Sequence, residues 1–147
     1  MPAAATVARP EGTGVRNEKH RLEVDTVVLG AASITAGAAR YLQKLYLAAS
    51  VTELRHLLNK PPGWKGKITR LYVVVGTAPG GFVVDTITVR VNGADTAIAG
   101  TITGTATTLE VGGNIDVSPG DDIEVRYTAG GGSAAANVMA YVAVEDR

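Results

Sequence analysis

The downstream half of the sequence alternates apolar and polar side chains in short runs that are separated by turn sequences. Residues 68–75 and 86–91 are two such runs, and strict alternation over about 4–8 residues predicts strands with one buried face. Asn92-Gly93 follows the second run, and this pair tolerates the two positive φ angles of a type I′ hairpin turn. Because connections this short join antiparallel strands only, the chain has to fold mainly as antiparallel β-structure.

Further runs of the same kind extend over most of the chain. Ser118-Pro119-Gly120-Asp121 predicts a tight turn between two of them, with proline at its second position and glycine at its third. The predicted strands are residues 25–34, 40–48, 68–75, 86–91, 97–103, 105–111, 114–117, 122–128 and 137–144. A spacing of roughly 8–12 residues between strands is typical of a sandwich or barrel. The prediction is an all-β fold, an antiparallel jelly roll or β-sandwich of about eight strands with an extended N-terminal arm.

The segment Ser50 to Asn59 fits two kinds of structure. Ser50-Val51-Thr52-Glu53 matches a capping box and favours a helix. The alternation of Leu54, His56 and Leu58 favours a strand equally well. Pro61-Pro62-Gly63 ends whichever element forms.

Composition limits the class of protein. With 147 residues, 46% hydrophobic and 19% charged, the chain suits one domain with its own core and is too apolar to be disordered. It has no cysteine, which excludes disulfides and thiolate metal sites. No apolar run approaches the roughly 18 residues that span a bilayer, and the N-terminus lacks the layout of a signal peptide. We therefore expect no membrane partner, and a protein that stays in the cytoplasm of the cell that makes it until assembly or lysis.

Residues 1–22 predict an arm, separate from a β-domain at residues 23–147. They show neither helical nor strand periodicity, and charged residues are interspersed among few apolar ones. Ordering each residue costs roughly 1–2 kcal/mol of backbone entropy, and the arm has too little apolar surface to offset that cost on its own domain. We expect it to bind a neighbouring molecule. The predicted contact residues are Val7, Arg9, Pro10, Val15, Arg16, His20, Arg21 and Leu22.

Charge is balanced in total, with 14 basic and 14 acidic residues, but unevenly distributed. Residues 40–70 are mainly basic, and the sequence after them is mainly acidic. A basic half alone would suit nucleic acid, but neighbouring acids repel the same phosphates, so no nucleic-acid partner is predicted. Complementary patches that meet across subunits or on a partner surface explain the asymmetry better.

The sequence offers little chemistry for catalysis. Its two histidines are His20 and His56, too few for a histidine-based metal site, and Ile68 occupies the Ser/Thr position of the one phosphate-loop-like motif. We predict neither an enzyme nor a cofactor. Trp64, the single tryptophan, and Lys65 lie on a predicted loop and form a second predicted interface, although a tryptophan that folds back on its own core fits equally well.

A set of motifs in fixed order resembles a known class of proteins. The motifs are Gly66-Lys67-Ile68-Thr69-Arg70-Leu71-Tyr72-Val73, Ala78-Pro79-Gly80-Gly81, Thr88-Val89-Arg90-Val91-Asn92-Gly93, Ser118-Pro119-Gly120-Asp121 and Asn137-Val138-Met139-Ala140. They look like those of small jelly-roll proteins in tailed-bacteriophage virions, notably head decoration (cement) proteins and some tail-fibre domains. The resemblance covers a little over half of the chain.

This resemblance implies a function and a set of partners. It implies a two-sheet jelly roll, commonly a homotrimer, on the outside of a capsid, where it binds the major capsid protein and reaches neighbouring trimers with its arm. The alternative that it implies is a receptor- or carbohydrate-binding domain of a tail fibre. The scarcity of glutamine, methionine and cysteine fits either a thermophilic host or a GC-rich genome.

Overall fold

The computed structural model describes residues 24–43 and 57–147, which contain eight β-strands and no helix. No segment of this described part therefore forms a helix that could cross a membrane. The strands are β1 (Val24–Ser33), β2 (Ala39–Tyr41), β3 (Gly66–Thr77), β4 (Val84–Val91), β5 (Ala94–Thr103), β6 (Thr108–Val117), β7 (Ile123–Thr128) and β8 (Ala136–Asp146).

The strands form two four-stranded sheets with antiparallel pairing throughout. The first sheet has the order β1-β8-β3-β6 and the second the order β2-β7-β4-β5. Only β4 and β5 follow one another within a sheet, and every other connection passes from one sheet to the other. This order of eight strands is that of a jelly roll, so the predicted fold class is confirmed.

The core lies between the two sheets and is built from alternate residues of each strand. Strands β3 and β8 contribute the most buried aliphatic side chains of the first sheet, opposite Ile87, Val89, Ile98 and Ile102 of the second. Burial of apolar area at about 25 cal/mol per Å² makes this interface the main source of stability. Because successive residues of a strand point to opposite faces, the inward residues also determine which side chains lie on the outer surface of each sheet.

A β-bulge at Thr69 corrects the alternation of β3. Ile68 and Leu71 are both 0% exposed, although a spacing of three would put them on opposite faces of a regular strand. In the pairing of β3 with β8, Ile68 and Arg70 lie opposite the consecutive residues Val144 and Ala143, which leaves Thr69 as the inserted residue. The bulge keeps both aliphatic side chains in the core and sets the outward positions of the strand beyond it.

Strand β6 differs from the prediction. Two strands were expected, at residues 105–111 and 114–117, with Gly112-Gly113 between them. The structure has one continuous strand, Thr108–Val117, and residues 105–107 lie in the connection that precedes it. Gly113 faces inward, where a Cβ atom would lie 2.3 Å from Cγ1 of Ile98, so this glycine permits close packing of the sheets and does not end the strand.

The two predicted turns are confirmed. Asn92 and Gly93 have φ angles of 52° and 80°, as a type I′ hairpin requires. Gly120 has a φ of 82°, and the amide of Asp121 donates to the carbonyl of Ser118 over 3.1 Å. Both turns thus take the backbone conformation that their glycines allow.

Some predictions concern residues that lie wholly or partly outside the described ones. The arm, residues 1–22, is one of them. Of the predicted strand at residues 40–48, Arg40 and Tyr41 belong to β2, and Gln43 forms an isolated bridge with Gly30 of β1. At the end of the ambiguous segment, Leu57 forms an isolated bridge with Asp122.

Candidate functional site

The outer surface of the first sheet carries a patch of aromatic and aliphatic side chains. Tyr72 of β3 pairs with Tyr141 of β8, which pairs in turn with Val28 of β1. In the next row, Val74 of β3 pairs with Met139 of β8. We call these five residues the tyrosine face.

The two tyrosines at its centre are in contact and reach solvent. Their ring centroids lie 6.2 Å apart at an interplanar angle of 39°. Tyr72 is 37% exposed, and Val28 beside the pair is 40% exposed. Tyrosine combines a large apolar area with a polar tip and two rotatable side-chain bonds, so a rigid pair loses little entropy when a partner covers it.

Polar and charged groups border the tyrosine face. Arg70 pairs with Glu110 over 3.3 Å, and Thr69 donates to Oε2 of Glu145 over 2.7 Å. Beside the two tyrosines these groups border an open groove of about 400 Å³. The groove is lined by Thr26, Thr69, Arg70, Tyr72, Tyr141, Ala143 and Glu145. An apolar centre with a polar rim is the usual arrangement of a protein-binding surface.

The outer surface of the second sheet is built from charges instead. Arg90 Nε and Arg126 Nη2 donate to opposite oxygens of Asp95 over 2.8 and 2.7 Å. Arg90 also donates to the hydroxyl of Tyr41 and lies 3.9 Å from the buried Glu124. The hydrogen bond from Arg126 is the main reason that the pKa of Asp95 lies below its usual range. These charges neutralise one another within the chain.

A buried carboxylate fixes the loop between β7 and β8. Asp85 is 0% exposed and accepts hydrogen bonds from the hydroxyl of Tyr127 (2.6 Å), the hydroxyl of Ser133 (2.7 Å) and the amide of Gly130 (2.8 Å). Loop residues 130–136 are all small, a composition that is typical of flexible segments. Two of the three bonds to Asp85, those from Ser133 and Gly130, attach this loop to β4.

Tyr127 predicts a change of stability in alkaline solution. Its burial, followed by its hydrogen bond to Asp85, raises the pKa of Tyr127 well above the ordinary value of about 10. Below about pH 10 the tyrosine keeps its proton in both the folded and the unfolded protein. Above about pH 10 the unfolded chain loses this proton while the folded chain retains it, so the free energy of unfolding falls as pH rises. We expect Tyr127→Phe to be less stable than the parent at pH 8, and the difference to shrink by up to about 1.4 kcal/mol per pH unit above pH 10.

Urea unfolding of both proteins from pH 8 to about pH 11 measures this difference. Tyr141→Phe, a change at a tyrosine of the outer face, serves as the control. A gap between Tyr127→Phe and the parent that stays constant across this range would contradict the coupling.

Trp64 and Lys65 lie at the opposite end of the first sheet from the β7–β8 loop. Trp64 is half-buried, packs over Gly66 and donates its indole N–H to Oδ1 of Asp146 over 2.8 Å. The ammonium of Lys60 lies 5.2 Å from its ring centroid. Lys65 is exposed, and its carbonyl accepts from the amide of Arg147. The pair thus holds the end of β8, and its role as an interface stays a prediction.

The predicted arm contacts lie outside the described residues: Val7, Arg9, Pro10, Val15, Arg16, His20, Arg21 and Leu22. Residues 24–43 and 57–147 contain no group of three or more His, Cys, Asp or Glu side chains that could hold a metal ion. Among the acidic side chains of residues 116–124, Asp122 and Glu124 are buried and Asp116 is exposed.

Sequence reasoning missed the tyrosine face and the role of Asp85. The alternation within β3 puts Tyr72 on the outer face of the strand, because its neighbours Leu71 and Val73 are on the buried face. This alternation could have indicated an exposed tyrosine. The position of Asp85, two residues before the core residue Ile87, could likewise have indicated a buried carboxylate. The pairing of Tyr72 with Tyr141 has no local signal, because it depends on the strand order.

The strand order defines the class of protein as a jelly-roll β-sandwich. No protein-family model matches the sequence, and no curated protein matches it. Among solved structures, the chain is similar to a family 35 carbohydrate binding module from Clostridium thermocellum in its native form. The identity is 16%, the TM-score is 0.36, and the match covers 84% of this chain and 97% of the module.

Proposed function

We propose that this protein is a virion structural protein that decorates and stabilises the outside of a phage capsid. It binds capsid subunits through the tyrosine face of its jelly-roll body and through the N-terminal arm, residues 1–22. The observation that carries the proposal is the exposed Tyr72–Tyr141 pair at the centre of a rigid sheet, with Arg70 and Glu110 at its border.

The position of the tyrosine face in the sheet supports this use. Strands β3 and β8 are the two inner strands of the first sheet, each paired on both sides. Side chains on such strands are held in place before a partner arrives, which lowers the entropy lost on binding. Tyrosine is enriched among residues that dominate binding energy, and a border of polar groups excludes water around them.

The mechanism requires binding alone, with no catalytic step and no cofactor. One body contact and one arm contact on the same chain raise the effective concentration of each other, so two modest contacts give tight attachment. The partners in this proposal are the major capsid protein, further copies of the chain in a homotrimer, and neighbouring trimers reached by the arm. The place of action is the outer surface of the virion.

A second candidate is a receptor- or carbohydrate-binding domain of a tail fibre. The groove of about 400 Å³ beside Tyr72 and Tyr141 favours it, because aromatic rings stack on apolar sugar faces. The 39° angle between the rings weighs against it, since tilted rings give no common flat platform. The apolar neighbours Val28, Val74 and Met139 suit a protein surface better.

The test of the proposal is addition of purified full-length protein to capsids that lack it. We expect the double variant Tyr72→Ser/Tyr141→Ser to stay folded and to bind capsids roughly 100-fold more weakly, the loss typical of two central interface residues. Co-sedimentation with capsids measures the bound fraction. Removal of residues 1–21 should also leave a folded body, which no longer strengthens the shells against heat.

Tyr41→Ser is the matched control, because Tyr41 is a partly exposed tyrosine on the outer surface of the second sheet. It should bind capsids as the parent does. Unchanged capsid binding by the double variant would contradict the assignment of the tyrosine face. Binding of the parent to glycans on an array, lost in the double variant, would favour the tail-fibre candidate.

A further inference from the structure

One end of the sandwich is formed by four loops that connect the two sheets. These loops are residues 34–38, 78–83, 104–107 and 129–135, and we call them together the loop end. Backbone hydrogen bonds link them. Gly37 donates to the carbonyl of Gly130 (2.9 Å), Gly80 to Gly104 (2.8 Å) and Ala134 to Pro79 (2.9 Å). With Asp85 holding Gly130 from below, the loop end is a connected and rigid surface.

A phenylalanine protrudes from this surface. Phe82, the only phenylalanine of the chain, is 102% exposed, and the nearby Val84 is 48% exposed. Gly80 and Gly81 precede it with φ angles of 93° and 53°, a backbone that holds the ring away from the sandwich. Its loop is fixed by backbone hydrogen bonds to two other loops, so the backbone that carries the ring is held in place.

The loop end carries no charged side chain. Residues 34–38, 78–83, 104–107 and 129–135 consist of glycine, alanine, threonine, serine, proline and three larger apolar residues. The opposite end of the sandwich differs in this respect. Its described charged residues include Lys60, Lys65, Asp121, Asp122 and Arg147.

We infer that the chain associates with further copies of itself through the loop end, with Phe82 buried at the contact. Around a rotation axis each residue approaches the same residue of the other copies, so every charge near the axis meets its own sign. Juxtaposed like charges weaken such a contact, and an uncharged end avoids this cost. Small residues let the backbones approach closely around the protruding ring.

Other occupants fit the loop end less well. Attachment to an anionic membrane surface draws on lysine and arginine, which these loops lack. A pocket on an unrelated protein could take Phe82, but it would not account for a charge-free surface extending over all four loops. The inference assigns a surface to the self-association that is part of the proposed function. The observations that carry it lie at the loop end and are independent of those on the tyrosine face.

The test measures the mass of the full-length protein by size exclusion with light scattering, without capsids. At concentrations of about 100 µM we expect an oligomer, with a mass that is a multiple of the chain mass. This oligomer should dissociate on dilution. Phe82→Ser should weaken association about 100-fold. Thr105→Arg, which adds a charge at an exposed position of the loop end, should weaken it as well.

Leu57→Ser is the matched control, because Leu57 is 55% exposed at the opposite end of the sandwich. It should leave the mass unchanged. A parent protein with the mass of one chain at all concentrations overturns the inference, as does a Phe82→Ser variant that associates like the parent. A monomeric parent that loses capsid binding on Phe82→Ser would show a contact with an unrelated protein instead.

The two tests fail separately. The mass measurement contains no capsid, so a monomeric parent leaves capsid binding by Tyr72 and Tyr141 untouched. Failure of the tyrosine variants to weaken capsid binding, in turn, says nothing about the mass of the free protein.

Discussion

Replacing Asp85 by alanine should lower the free energy of unfolding by roughly 3–5 kcal/mol. The carboxylate accepts three hydrogen bonds in a position with no access to water, from Tyr127, Ser133 and Gly130. Alanine would leave these three donors without their acceptor, and each unsatisfied buried donor costs about 1–3 kcal/mol. The melting temperature should fall by about 10 °C, given roughly 2–4 °C per kcal/mol for a domain of this size.

The β7–β8 loop should show the change most directly. Because the amide of Gly130 donates to Asp85, its hydrogen exchange should accelerate in the variant more than that of amides in the centre of β3. Calorimetry and exchange measured together distinguish a local opening of the loop from general destabilisation.

Two control variants sharpen this prediction. Asp85→Asn keeps the shape and one acceptor oxygen, so we expect an intermediate loss. Asp116→Ala removes an aspartate whose side chain is 70% exposed and pairs with Arg147, a surface ion pair worth up to about 1 kcal/mol. If Asp85→Ala and Asp116→Ala unfold at the same denaturant concentration, the buried carboxylate does not hold the loop.

The second large effect is expected on β6, where Gly113→Val should cost roughly 3 kcal/mol. A Cβ atom at position 113 would lie 2.3 Å from Cγ1 and 2.5 Å from Cδ1 of Ile98, on the facing sheet. Ile98 is fully buried, so its side chain can yield only by displacing other core residues. Denaturant unfolding measures the loss.

Gly112→Val is the matched control for this change. Both glycines are exposed, but the nearest atom to a Cβ at position 112 is the carbonyl oxygen of Thr69 at 3.9 Å, an ordinary contact. Valine favours strands, so this variant should be as stable as the parent or more stable. Equal losses at positions 112 and 113 would mean that the sheets do not depend on close approach at Gly113.

A double variant tests the same contact from the other side. Ile98→Ala alone creates a cavity and should cost about 2–5 kcal/mol. Combined with Gly113→Val, it makes room for the new side chain, so the double variant should lose less than the sum of the two single variants. If the two losses of stability simply add, the valine side chain at position 113 does not contact the side chain of Ile98.

The turns of this protein were predictable because their causes are local. Asn92-Gly93 and Gly120 tolerate positive φ angles within the sequence motifs that contain them, and the structure has those angles. The alternation within β3, β4 and β8 predicted antiparallel strands for the same reason, since each strand records its own buried face. The continuity of β6 through Gly112-Gly113 was not predictable, because glycine occurs both in turns and in closely packed strands and only the position of Ile98 decides between them.

The sequence by itself determined the fold class, most of the strand positions and the hairpin chemistry, since these depend on neighbours a few residues away. Only the tertiary structure decided that Tyr72 meets Tyr141, that Asp85 receives donors from a loop more than forty residues away, and that four loops form one uncharged end around Phe82. The physical reason is that these groupings follow from the order of strands across two sheets. That order is set by the packing of the whole core, which no single segment of the sequence encodes.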